Sequence, residues 1–241
     1  MKNFTIGVLG GMGTFATIHL FQQYAQVFPA KKEWDRPRIV IDNRCTMPSR
    51  VRAYLYKEKV EQLVDEMADS MQHLADAGCD RILLACNTSH LFLPQIYEKS
   101  PELEEKVIHL IETCVDKVKE DGAKEIYLLG SEGTIDSGIY QQALEREEIT
   151  CTTPLPEEYG SIRKCIEAVK QDKYTDDVKE IFLRLLEKYD AYILGCTELP
   201  ILYEMYQLEI AKKKIYDPLL LGLEKLKEEY DKIENSDIWG V

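Results

Sequence analysis

The 241 residues carry 30 basic and 43 acidic side chains, a net charge of −13, with 45% hydrophobic and 30% charged residues. This is the composition of a packed globular chain with room for one large domain or two ordinary ones, and it excludes disordered, fibrous and disulfide-stapled classes. The negative field repels phosphate backbones, so nucleic acid is not an expected partner and an anionic substrate needs a local basic pocket.

No charged residue occurs between Asn3 and Ala30, but glycines and Thr5, Thr14, His19, Gln22, Gln23 and Gln26 interrupt the stretch. It cannot cross a bilayer, and with only Lys2 before it and Gly7 inside its apolar run it does not fit a signal peptide. A cytoplasmic chain without membrane association is expected. Further along, β-branched apolar runs at 5–9, 39–42, 81–85, 125–129 and 192–194 predict strands. Segments 57–76, 104–119, 134–145, 161–170 and 177–188 between them repeat apolar residues at helical spacing. Such alternation predicts βαβ units and an α/β fold of mostly parallel sheets flanked by helices.

The chain also resembles itself. Val8-Leu9-Gly10-Gly11-Met12-Gly13-Thr14 aligns with Leu128-Leu129-Gly130-Ser131-Glu132-Gly133-Thr134, and Asp80 to Thr88 aligns with Asp190 to Glu198. Two matches in the same order predict two pseudosymmetric lobes, 1–103 and 104–216, with a last helix in 217–241 packing back on the first lobe. Ligands of open α/β sheets sit beyond the carboxyl ends of the strands, so the cleft between the lobes is the expected site.

The seven cysteines, at 45, 79, 86, 114, 151, 165 and 196, include no Cys-x-x-Cys pair and indicate neither a disulfide framework nor a metal site. Most are expected to be inert buried thiols. Cys86 and Cys196 differ from the rest because they occupy equivalent strand ends in the two repeats. There the N–H dipoles of a following helix favour thiolate. Two similar acid/base groups on opposite sides of one carbon suit inversion at a centre with a removable proton: one takes the proton, the other returns one to the opposite face. Asn87, Thr88 and Thr197 are donors able to stabilise charge developing on an adjacent carboxylate.

Other readings use the same residues. Gly11-Met12-Gly13-Thr14-Phe15-Ala16 fits a loose dinucleotide pattern, but it lacks a well-placed acid, and Glu132 puts a carboxylate where the second lobe would hold pyrophosphate. A Cys86–His90 nucleophile is a second alternative, opposed by a reading of His90 as a helix-start residue bonded to backbone. His19, His73 and His109 read as ordinary surface or boundary residues. A non-catalytic module binding an amino acid or nucleotide in the cleft is a third alternative.

Leu9-Gly10-Gly11-Met12-Gly13, Ala85-Cys86-Asn87-Thr88-Ser89-His90, Gly133-Thr134 through Ser137-Gly138-Ile139-Tyr140, and Leu194-Gly195-Cys196-Thr197-Glu198-Leu199-Pro200 together resemble the aspartate/glutamate racemase family, and the aspartate racemase branch in particular. The resemblance implies a racemase that uses neither pyridoxal phosphate nor metal, often a homodimer, acting on a dicarboxylic amino acid. Cys86 and Cys196 would be its acid/base pair, Cys196 serving the L-face. Met12, Asn87, Thr88 and Thr197 would line the substrate, Arg50 would bind a carboxylate, and Lys170 matches a second-lobe lysine. Thr14 stands where the family commonly has proline, which removes no donor. Related cysteine isomerases, hydantoin-type racemases and decarboxylases share the plan and differ in their carboxylate-binding residues.

Overall fold

The computed structural model describes residues 4–210 and 212–238. Its strands are β1 (Thr5–Gly10), β2 (Arg38–Asn43), β3 (Arg81–Leu84), β4 (Glu125–Gly130), β5 (Thr150–Thr152), β6 (Ala191–Gly195) and β7 (Lys214–Tyr216). The helices are α1 (Thr14–Val27), α2 (Arg50–Tyr56), α3 (Val60–Asp76), α4 (Leu93–Lys99), α5 (Leu110–Glu120), α6 (Glu132–Ser137), α7 (Ile139–Arg146), α8 (Tyr159–Lys170), α9 (Asp176–Leu185), α10 (Leu199–Tyr206) and α11 (Pro218–Ile238).

The strands form two sheets, β2-β1-β3 and β5-β4-β6-β7, with every pairing parallel. In both sheets the strand leading to a glycine turn pairs with the strand leading to a cysteine: Leu9 is level with Leu84, and Gly130 with Gly195. The likeness extends to the flank, where β7 pairs with β6 and an isolated parallel bridge joins Ile82 to Val107 beside β3. The expected α/β architecture of two pseudosymmetric lobes is therefore what the chain forms.

One hydrophobic core is common to both lobes. It gathers Val8 and Leu83 from the first sheet, Leu128 and Ile193 from the second, and Leu20, Leu110, Leu144 and Leu223 from the helices between. Two further cores lie on the outer faces, one around Leu63, Met67 and Met71 of α3, the other around Ile162, Val169 and Phe182 of α8 and α9. The amphipathic spacing of these helices directs one stripe inward, each fully buried Leu, Met or Phe contributing roughly 1.5–3 kcal/mol. The last helix packs on α1 and α5 and reaches both central strands β3 and β6. Its Gly222 lies against Leu110 and Leu83, so α11 rests on the seam of the two lobes.

Short elements escaped the sequence pattern. β5 and β7 have three residues each, too few for a period, and the single helix expected over 134–145 is two, because Gly138 adopts φ 70 between α6 and α7.

The first glycine turn has a local reason for its composition. Gly11 has φ 77, and a Cβ there would come within 2.6 Å of the backbone N and O of Arg44. Thr17, in the second turn of α1, ties the glycine turn to the helix, accepting from Gly11 N–H at 3.2 Å and donating to Gly13 O at 3.1 Å. Gly11→Ala should lower unfolding free energy by about 2–4 kcal/mol, combining left-handed strain with overpacking. Urea denaturation checks this, and an unchanged midpoint contradicts the packing described.

Candidate active site

Cys86 and Cys196 emerge just past the carboxyl ends of β3 and β6, beside the glycine turns that follow β1 and β4. Each loop then reaches across to the other lobe. Thr88 shares hydrogen bonds with Thr134 Oγ1 at 2.8 Å and Ser131 Oγ at 3.1 Å, and its methyl covers Gly133, whose Cβ would stand 3.2 Å away. In the reciprocal position Glu198 covers Gly13, where a Cβ would run into Oε1. Thr197 donates across the cleft to Ala85 O at 3.4 Å. The two lobes thus clasp each other through equivalent residues.

A small cavity of about 60 Å³ lies where these loops meet, and Cys86 and Cys196 both line it. So do Met12, Arg50, Asn87, Thr88, Lys170 and Thr197, which brings together every residue singled out from the sequence. A wider depression of about 420 Å³, bordered by Tyr56, Tyr159 and Arg163, shares Ser49, Val51, Ser131, Ile166 and Lys170 with it. A larger depression, about 840 Å³ near Phe4, Trp34 and Tyr230, lies at the opposite ends of the strands and has no thiol in its lining.

Glu198, Ser131 and Ser49 also line the cleft, and sequence reasoning gave none of them a role. Glu198 is 2% exposed, and its Oε2 accepts the Cys196 thiol proton at 3.0 Å. Burial pushes the Cys196 pKa well above the ordinary thiol value, and the charge and hydrogen bond of Glu198 raise it further, with Lys170 opposing. Cys196 therefore rests as a thiol. The Lys170 ammonium is disfavoured by burial, yet Glu198, Cys196 and Glu167 together raise its pKa, so it stays charged at the cleft wall. Arg50 spends its terminal nitrogens on the loop itself, donating to Met12 O at 2.6 Å and Pro48 O at 2.9 Å.

Three residues of the cleft wall each carry a side-chain atom that is buried without a protein hydrogen-bond partner among the described residues: Arg50 Nε, Asn87 Nδ2 and Glu198 Oε1. Buried polar groups are otherwise paired, so two orphaned donors in residues that line one cavity point to a polar group to be met there, whereas Glu198 Oε1 is packed over Gly13.

His90 is not a base for Cys86. Its Nε2 accepts from Leu110 N–H at 3.2 Å, which puts the ring proton on Nδ1, 3.2 Å from both Cys86 O and Asn87 O. Burial pushes its pKa down to about 3, and the neutral ring pins the turn that carries Cys86 and Asn87. His19, expected at the surface or boundary, is instead buried between α1 and α10 with Nε2 2.9 Å from Glu204. Among the described residues no three His, Cys, Asp or Glu side chains are grouped to hold a metal ion, and no helix is long and apolar enough to cross a membrane.

Residues 9–226 match the model of the family described as Asp/Glu/hydantoin racemase. The chain belongs to that family. As an Asp/Glu/hydantoin racemase family member it is an isomerase, and its relatives act on amino acids. It is 26% identical over 215 residues to the broad specificity amino-acid racemase RacX of Bacillus subtilis, covering 85% of this chain and 90% of that one. It is 29% identical over 176 residues to the glutamate racemase of Aquifex aeolicus, covering 70% and 65%. The solved structure of Picrophilus torridus aspartate racemase superposes with a TM-score of 0.76 at 25% identity, covering 93% of this chain and 94% of that one.

The Cys196 environment has a measurable consequence. In Cys86→Ala protein, the pH at which Cys196 reaches half its maximal alkylation rate with iodoacetamide, followed by peptide mass spectrometry, should lie above 9.0, the ordinary thiol value. Glu198→Gln removes the negative charge and should move that midpoint down. A midpoint below the ordinary value, or one indifferent to Glu198, contradicts this account.

Proposed function

We propose that this chain is a cofactor-independent amino-acid racemase that interconverts L- and D-aspartate, with glutamate as second substrate, by two-base proton transfer between Cys86 and Cys196. The observation that carries the reading is the lining of one small cavity by both thiols, each from an equivalent strand end of its own lobe.

The unpartnered donors of residues lining the cleft suit the carboxylate of an α-amino acid: Arg50 Nε and Asn87 Nδ2 would donate to it. Lys170 and Arg50 supply the cations that a substrate with two carboxylates needs in a chain of charge −13, each charge-assisted bond contributing roughly 1.5–3 kcal/mol. Met12, Thr88 and Thr197 complete the wall.

In one direction a Cys86 thiolate removes the α-proton, and the Cys196 thiol, favoured by its burial and by Glu198, delivers its proton to the opposite face. Cys86 is then the thiol and Cys196 the thiolate, which is the starting state for the reverse reaction from the L-face. Glu198 Oε2, 3.0 Å from Cys196 Sγ, is placed to carry a proton to or from that sulfur between turnovers. No bond other than those to hydrogen is broken, so the chemistry asks for no group beyond the thiols and the carboxylate donors.

A broader substrate range has its own support. The match to RacX covers 90% of that broad-specificity enzyme, and the 420 Å³ depression next to the cleft offers room for longer side chains.

Two further features belong to this reading. We place the enzyme in the cytoplasm, where seven free cysteines stay reduced. We assign the outer face of α1 to a homodimer contact: Ile18 and Phe21 are 50% and 49% exposed there, and the helix carries no charge in an otherwise strongly anionic chain.

Polarimetry on purified protein with each L-amino acid in turn tests the proposal. L-Aspartate should lose rotation without added cofactor, and Cys86→Ala and Cys196→Ala should each lower kcat by about 10²–10⁴-fold. Undiminished racemisation by Cys196→Ala would refute the two-thiol mechanism, and loss of rotation confined to uncharged amino acids would refute the dicarboxylate preference.

A further inference from the structure

Tyr140 lies on α7, fully buried, outside the cavity lining, and nothing in the reaction described above uses it. Its surroundings nevertheless touch both catalytic loops. Its hydroxyl donates to Asn87 Oδ1 at 2.6 Å, and Asn87 directly follows Cys86. The edge of its ring, Cε2, stands 3.4 Å from the position a Cβ on Gly195 would take, and Gly195 directly precedes Cys196.

An amide has two ends that differ in sign, and a buried amide must be told which way to face. Tyr140 settles the matter for Asn87. With Oδ1 tied to the tyrosine hydroxyl, Nδ2 is left buried and unpartnered in a residue that lines the cleft and is only 2% exposed. The opposite orientation would present a carbonyl oxygen to the substrate carboxylate. Burial, reinforced by Cys114 and Asp217, raises the Tyr140 pKa far above the working range, so its hydroxyl keeps the proton it donates.

Resting on the racemase reading, we infer that Tyr140 is a positioning residue for the reaction: by holding Asn87 Oδ1 it aims Asn87 Nδ2 at the substrate carboxylate, where negative charge grows as the α-proton leaves. Because that charge is greatest in the transition state, the bond is worth more there than in the bound substrate. The effect therefore falls on kcat more than on KM.

Tyr140→Phe keeps the ring in the core and removes only the hydroxyl. With racemisation followed by polarimetry well below Tm, kcat and kcat/KM should fall together by about tenfold or more, and KM should stay within about threefold. A packing role would lower Tm and leave the kinetics of folded protein as they were. Unchanged kcat, or a change in KM alone, overturns the inference. Asn87→Asp supplies a second arm should Tyr140→Phe not fold. It keeps an acceptor for Tyr140 but replaces the cleft-facing NH2 with an anion, and kcat/KM should drop by about a hundredfold or more. Activity within about twofold of native in that variant also overturns it. A native chain that racemises normally while Tyr140→Phe matches it defeats this inference alone. A native chain that racemises no dicarboxylic amino acid defeats the racemase reading, and this inference with it.

Discussion

Each glycine turn has to stay bare because the opposite lobe sits on it. Thr88 of the first lobe covers Gly133 of the second, and Glu198 of the second covers Gly13 of the first. This reciprocal contact fixes where Cys86 and Cys196 stand, since each covering residue lies two positions beyond a thiol. The cleft is small, and one hydrophobic core lies under both lobes. Close-packed interiors of this kind hold side chains in one arrangement.

The two halves of the clasp differ chemically, and the difference matters for protons. Thr88 answers its glycine turn with hydroxyl bonds to Ser131 and Thr134, all neutral. Glu198 brings a buried carboxylate beside Cys196, and that negative charge holds the thiol proton in place. A pseudosymmetric scaffold thereby gives its two strand-end cysteines different surroundings. The net charge of −13 is a property of the exterior; at the cleft, Arg50 and Lys170 reverse the local sign. Low dielectric around them strengthens each interaction relative to water.

Much of this was legible in the chain because the informative residues are local. Glycine-rich turns and strand-end cysteines recur within short repeats, so two internal alignments found both lobes and both thiols, and the cavity gathers the eight residues chosen. What could not be read depends on contacts between distant segments. Glu198 stood in a motif already noticed, but its partner Gly13 lies in the other lobe. Tyr140 is 53 residues from Asn87, and no periodicity links them. Gly138 looked like an interior residue of a helix, whereas its left-handed backbone ends one helix and begins another. Arg50 was read as a carboxylate ligand; what its position alone did not reveal is that its guanidinium also holds the Met12 and Pro48 carbonyls.

The central claim is that two sulfurs serve one carbon from opposite faces, and the fate of the α-hydrogen tests it most directly. With L-aspartate in D₂O, early in conversion, the D-enantiomer formed should carry deuterium at Cα while the recovered L-enantiomer still carries protium. D-aspartate that retains the original protium would mean that a single group moves the hydrogen between faces, and the two-thiol account would be wrong.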